Sequence, residues 1–165
     1  MSTPAPPEPP ELRPATTADA AEISRIWCEG WRDGHLGHTP AALVEARTAA
    51  SFDHRALERL PHTTVATVDG DVVGFVVVVD DEAEQVYVDR AARGSGVAAV
   101  LLAEVERQVA ASGHRRVWLA VASGNTRARR FYERSGWYDD GAFDYQADGP
   151  DGPIAVPCHR YVRDL

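Results

Sequence analysis

Cysteine is scarce: Cys28 and Cys158 are the only two, and they lie far apart. Neither sits in a Cys–Cys or Cys–His spacing that would hold a metal, so no metal site is expected. Reduced thiols in a cytoplasmic setting are the default reading. No apolar run reaches the length of a membrane span and no leader-like segment is present, so no membrane contact is expected. The chain also lacks an excess of positive charge. At a formal net charge of -8 it is a poor match for phosphate backbones, which excludes nucleic acid as the main ligand, and for a polybasic membrane contact. Internal repeats and a second domain boundary are absent as well. What remains is 165 residues, 44% of them hydrophobic and 25% charged. That composition suits one domain with a sizeable core rather than a disordered chain.

Prolines at 4, 6, 7, 9 and 10 deny residues 1–10 helix or sheet ladders, so a disordered or polyproline-like tail is expected there and one domain over 11–165. A short strand over Glu11–Ala15 and a helix from Asp19 to about Arg32 follow, with Ile23, Ile26, Trp27 and Gly30 on one face. Gly34 to Pro40 reads as a break, and Ala41–Leu60 as helix interrupted around Thr48–Phe52. Thr63–Val68, Val72–Val79 and Gln85–Val88 read as strands joined by polar turns, so the first four strands pair antiparallel. The pattern then changes. A loop over Asp89–Gly96 opens a four-turn helix ending near Ser112-Gly113. Val117–Val121 is the next strand. Asn125–Ser135 is a helix stopped by Gly136, and strands near Tyr138–Tyr145 and Ile154–Val162 close the chain. The strand–helix–strand unit over 85–121 is a crossover, so its two strands are parallel. The expected fold class is α/β with a mixed, mostly antiparallel sheet covered by helices.

The informative loop is Arg93-Gly94-Ser95-Gly96-Val97-Ala98, where a strand feeds a glycine-containing turn that opens a helix. Unpaired amides and the helix dipole suit an anion there, and the glycines let backbone approach a pyrophosphate. A plain helix start with small residues is the alternative. Gly94-Ser95-Gly96-Val97-Ala98-Ala99 also formally matches the dinucleotide fingerprint, yet Val88 stands too far ahead of Gly94, and Val117–Val121 lacks a terminal acid for a ribose. The Gly-Lys-Ser/Thr of a nucleoside-triphosphate loop is absent.

Arg93, Gly96 and Ala98, preceded by Val86-Tyr87-Val88, resemble the acetyl-CoA signature of the GNAT acetyltransferase superfamily. Asn125, Ala128, Phe131, Tyr132, Gly136 and Trp137 resemble its second element, and the two stand in the family's order. The resemblance spans roughly residues 11–165. It implies that the fourth and fifth strands splay apart, with helices on both faces of the sheet. Pantetheine of the cosubstrate acetyl-CoA would lie along Val86, Tyr87 and Val88. The pyrophosphate would sit on the amides of Arg93, Gly94, Ser95, Gly96, Val97 and Ala98. Asn125 would touch the pantetheine arm or the reaction centre, or act as a helix cap; the two roles are compatible.

By the same resemblance the reaction is direct acetyl transfer to an amine in a ternary complex. An ammonium cannot attack, so a base must take its proton and an acid must serve the departing thiolate. Tyr132 is the candidate acid, with a packed aromatic as the alternative. Glu82 and Glu84, on one strand face with Val86 and Val88, are candidate bases, Glu82 ahead. His35, His38 and His159 are alternatives. A ping-pong route through Cys28 or Cys158 lacks an activating neighbour in the sequence. Trp31–Pro40 and Gly149–Pro153 would frame the acceptor pocket, with Trp31, His35, Phe143 and Tyr145 as candidate lining. The acceptor is a small-molecule amine or a protein or peptide amino group. A homodimer would cover edge strands. A non-catalytic acyl-CoA-binding sensor or interaction module is the competing function.

Overall fold

A computed structural model describes residues 1, 3–5 and 8–165. The described residues ahead of Glu11 form neither helix nor strand, and the expected proline-rich tail lies in part outside the described residues. Seven strands follow: β1 (Glu11–Pro14), β2 (Thr63–Val68), β3 (Asp71–Val79), β4 (Glu82–Val88), β5 (Arg116–Ala122), β6 (Tyr138–Ala147) and β7 (Ile154–Asp164). Five helices accompany them: α1 (Ala20–His35), α2 (Ala41–Ala46), α3 (Ala49–Arg59), α4 (Val97–Ala111) and α5 (Thr126–Arg134). The strands make one sheet in the order β1-β2-β3-β4-β5-β7-β6. Every neighbouring pair is antiparallel except β4 and β5. The mixed sheet expected from the sequence is therefore present, with its one parallel pair at the crossover.

The two faces of the sheet hold separate cores. Ile23, Ile26 and Trp27 of α1 and Phe52 of α3 pack on Val65, Phe75 and Val77. The Trp27 ring centre lies 5.7 Å from that of Phe75 and 6.1 Å from that of Phe52. On the other face Leu101, Leu102, Val105 and Val109 of α4 pack with Tyr132 of α5 on Val76, Val117, Leu119 and Tyr161. These stripes follow the helical period, which is why the sequence announces them.

The boundaries depart from expectation in three places that matter for the site. The first helix does not stop at Arg32 but runs through His35, because Gly34 stays helical where a side chain would collide with Asn125. The break in the 41–60 stretch falls at Arg47-Thr48, ahead of the expected position, and Thr48 Oγ1 caps α3 by accepting the amide of Ser51 at 3.2 Å. β4 begins at Glu82 rather than Gln85, since the turn before it is tight, with Asp80 at φ 53°. Glu82 and Glu84 are thus strand residues with fixed directions.

β4 and β5 share one registered pair, Glu82 with Trp118. The Trp118 amide donates to the Asp81 carbonyl at 3.0 Å and its indole to the Asp81 carboxylate at 3.2 Å. Past this rivet the strands part, which leaves the β5-facing edge of β4 without a ladder partner toward Val88.

Candidate active site

The gap between β4 and β5 is the middle of a continuous cleft with two lobes. Val86, Tyr87, Asn125, Ala128 and Tyr132 line both. The larger, about 640 Å³, lies against the start of α4 and α5 and is walled by Val88, Arg93, Gly94, Gly96 and Ala98. The smaller, about 320 Å³, lies on the opposite side of the gap, between α1, α3, β4 and the β6–β7 hairpin.

At the larger lobe the chain turns through Gly94 at φ 78° and Gly96 at φ 90°, conformations that a side chain makes costly. A Cβ at either would meet no atom within 4 Å, so open space lies above both. The amides of Arg93 and Ser95 are consumed inside the loop, by the carbonyls of Arg90 and Ala92, and the Ser95 hydroxyl also turns back to Ala92. Among the described residues, the amides of Gly94, Gly96, Val97 and Ala98 have no acceptor. The candidate anion cradle is therefore narrower than the six residues read from the sequence. The Ser95 and Val97 side chains do not line the lobe; Val97 is buried under α4 instead. Arg93 donates to Asp33 of α1 at 2.8 Å, and Arg90 meets the same carboxylate at 2.7 Å. Those two guanidinium groups, Arg90 first, hold Asp33 down at about 2.

Asn125 does act as a cap: its Oδ1 accepts the amide of Ala128 at 3.2 Å. Its Nδ2 lies against Gly34. Two turns on, Tyr132 is 8% exposed, with ring centres of Phe131, Trp137 and Tyr161 between 5.2 and 6.1 Å away. Among the described residues nothing hydrogen-bonds its hydroxyl, and burial pushes its pKa well above the ordinary phenol range. The hydroxyl stays protonated and carries a free donor at the junction of the lobes.

The smaller lobe gathers Trp31, His35, Glu82, Glu84 and Tyr145 of the expected residues. Phe143 is not among them. It shares a strand face with Tyr145, but Trp118 packs edge-on against it at 6.2 Å and Arg160 covers its ring at 5.5 Å. The two glutamates differ. Glu84 accepts the Arg59 guanidinium at 2.8 Å. Glu82 accepts the Tyr145 hydroxyl at 2.9 Å, and burial raises its pKa above the ordinary carboxylate value against that bond. His35 stacks on Trp31 at 4.9 Å and shares a hydrogen bond of 3.0 Å with the Trp31 carbonyl. Burial pushes its pKa down to about 4, so it is neutral near pH 7.

The remaining alternatives separate by position. His38 lines the larger lobe. His159 lines neither and pairs with Asp139 at 2.9 Å on the outer hairpin. Cys158 does reach the smaller lobe, which its place in a terminal strand did not suggest, but burial raises its thiol to about 11 and no histidine activates it. Arg47, Arg55 and Arg59 also line this lobe and were missed in the sequence. The only available signal was the i, i+4 spacing of Arg55 and Arg59 on one turn of α3.

Residues 20–137 match the acetyltransferase (GNAT) family. Over 107 residues the chain is 36% identical to uncharacterised N-acetyltransferases of Mycobacterium tuberculosis and Mycobacterium bovis, covering 61% of this chain and 69% of either relative. Among solved structures, a GCN5-related N-acetyltransferase from Rhodopseudomonas palustris is similar at a TM-score of 0.74 and 22% identity, over 96% of this chain and 97% of that one. PaiA N-acetyltransferase from Thermoplasma acidophilum, solved in complex with coenzyme A, gives 0.69 at 16%, over 94% and 99%. YncA from Salmonella typhimurium, solved with acetyl-CoA, gives 0.67 at 20%, over 96% and 95%. At these identities the structural likeness speaks for the fold.

Proposed function

The chain belongs to the acetyltransferase (GNAT) family, and we propose that it transfers the acetyl group of acetyl-CoA directly to a primary amine held in the smaller lobe. The observation that carries this reading is the cleft itself. It runs from a set of acceptor-free amides at the start of α4, past the open edge of β4, to a lobe that contains the half-buried Glu82 carboxylate. Bound coenzyme A in PaiA and acetyl-CoA in YncA support the choice of cosubstrate.

Acetyl-CoA supplies the activated thioester carbonyl. In this reading the amides of Gly94, Gly96, Val97 and Ala98 hold its phosphates, where the dipole of α4 adds to their pull. The open edge of β4 at Val86, Tyr87 and Val88 offers hydrogen bonds to the amide groups of pantetheine. Glu82 takes the proton of the ammonium, directly or through water, because its burial-raised pKa brings it nearer the amine's range. The freed nitrogen attacks the carbonyl, the C–S bond breaks as Tyr132 gives its proton to the sulfur, and the proton that the new amide nitrogen sheds returns through water to the Tyr132 oxygen. Glu84 is already neutralised by Arg59, and His35 is too acidic a base in its buried setting. The catalytic unit is taken as residues 11–165 and the setting as the cytoplasm. No helix among the described residues is long and apolar enough to cross a membrane.

Calorimetric titration with acetyl-CoA, with NAD as control, tests the cofactor lobe, and free-thiol release with an amine panel tests the transfer. The chain contains no lysine, so no side-chain amine of its own supplies a background. Binding of acetyl-CoA and amine-dependent thiol release are expected. Binding without release to any amine would leave an acyl-CoA-binding sensor. No binding would reduce the Arg93–Ala98 loop to a plain helix start.

A further inference from the structure

Three arginines enter the smaller lobe from the α2–α3 segment, and their charges are unequally matched. Arg59 has Glu84 at 2.8 Å. Arg55 lies over the Trp27 ring at 5.0 Å; its nearest carboxylate, the exposed Asp148, stands at 3.8 Å, and its buried Nε has no hydrogen-bond partner among the described residues. Arg47 is the extreme case. It is 8% exposed, it lines the lobe, and among the described residues its guanidinium bonds to nothing. Burial, and Arg55 beside it, push its pKa down to about 10. A guanidinium drawn largely out of bulk water without gaining an acceptor is unfavourable, and its planar fork pairs bidentately with an acid group such as a carboxylate or a phosphate. The lobe's lining also holds three carboxylates, Glu82, Glu84 and Asp148, and Arg47 is the one of its three arginines that none of them meets among the described residues.

We infer that Arg47 and Arg55 bind a carboxylate on the acceptor, so that the amine substrate is a free amino acid. The inference rests on the acetyl-transfer reading for the identity of the other end, the amine, which faces Glu82 in the same lobe. Phosphates of the cosubstrate do not account for the pair, because the acceptor-free amides lie in the other lobe, whose lining includes neither arginine. A lobe of about 320 Å³ is at the small end for a ligand pocket, which suits one small molecule.

The test is a calorimetric panel of the standard amino acids against their carboxamides, on the full chain with coenzyme A present. At least one amino acid is expected to bind more tightly than its amide by tenfold or more. Arg47→Met is expected to weaken that ligand by about tenfold to a hundredfold while leaving the amide unchanged, as loss of a charge-assisted bond implies. Arg47→Lys is expected to restore part of it. Thermal stability of Arg47→Met is expected to hold or rise, because an unmatched buried charge is removed. Arg55→Gln gives a second reading if the first variant fails to fold. The inference is overturned if no amino acid is preferred over its amide, or if Arg47→Met and Arg55→Gln both leave the preference intact. Amino-acid binding with no acetylation would instead overturn the transfer reading alone. Acetylation of plain amines without carboxylate preference would overturn this inference alone.

Discussion

The Tyr145 phenol on β6 donates to Glu82 Oε1 on β4 at 2.9 Å, across the wedge that opens where β4 and β5 part. The bond opposes burial, which raises the Glu82 carboxyl; Tyr145 pulls it back down by favouring the ionised form. In the proposed role of base, Glu82 must be ionised to accept a proton, so activity is expected to fall on the acid side of its pKa. Tyr145→Phe removes the opposing bond and is expected to move the acid limb of the kcat/KM profile to higher pH. Glu82→Gln should lower kcat roughly a hundredfold or more and abolish that limb. A pH–rate profile that keeps its acid limb in Glu82→Gln would assign the limb to another group.

Tyr132 presents a hydroxyl that no other group uses among the described residues, and burial keeps it protonated. Tyr132→Phe deletes one oxygen from a well-packed ring, so the fold and acetyl-CoA affinity are expected to survive. Turnover should fall by about a hundredfold, the low end for a general acid. Calorimetry and steady-state kinetics on one preparation separate the two effects. Unchanged kcat near neutral pH would remove Tyr132 from the acid role.

Gly96 turns the chain at φ 90° into α4, with open space above it. Gly96→Ala meets no steric neighbour, yet the left-handed backbone makes it costly by about 1–2 kcal/mol. If the loop relaxes to avoid that cost, the amides of Val97 and Ala98 turn away from a common centre. Acetyl-CoA affinity is therefore expected to drop about tenfold or more, with little change in the affinity for an amine. Equal loss of both would point to general unfolding instead.

The β4–loop–α4 unit and its parallel partner were legible because each signal is local: period-two apolar strands, glycines at a turn, a helical stripe. The same period-two rule put Glu82 with Glu84, and there it stopped, while Phe143 and Tyr145 were candidate lining of one pocket. Arg59 arrives from α3 to claim Glu84, and Trp118 with Arg160 covers Phe143. These contacts join segments far apart in sequence, and no local pattern encodes them. Arg47 was hidden for a related reason. Its aim depends on where α2 ends, and the expected break, around Thr48–Phe52, began one residue past Arg47. His159 illustrates the limit of alternation: the strand was expected, but only pairing with β6 shows that the ring faces Asp139 and not the cleft.

Stability at low pH turns on a contact remote from the cleft. Asp19 is 6% exposed and accepts both arms of Arg13 at 2.7 and 2.9 Å, and the Thr16 amide at 2.8 Å, tying β1 to the start of α1. Arg13 is the main cause that holds its carboxyl down at about 2, whereas an unfolded chain titrates near 3.9. The unfolded state therefore binds the proton first as pH falls. The resulting stabilisation is complete above about pH 4 and is lost as pH drops through about 2. Its size is about 1–2 kcal/mol, reduced from the full shift because the Arg13 side chain is 42% exposed. Asp19→Asn is expected to lose that amount at pH 7 and to converge on the parent protein toward pH 2, with acetyl-CoA affinity unchanged. Urea unfolding at pH 7 and at pH 3 reads the difference directly. A deficit of equal size at both values would mean that Asp19 acts by packing and hydrogen-bond geometry rather than by its charge.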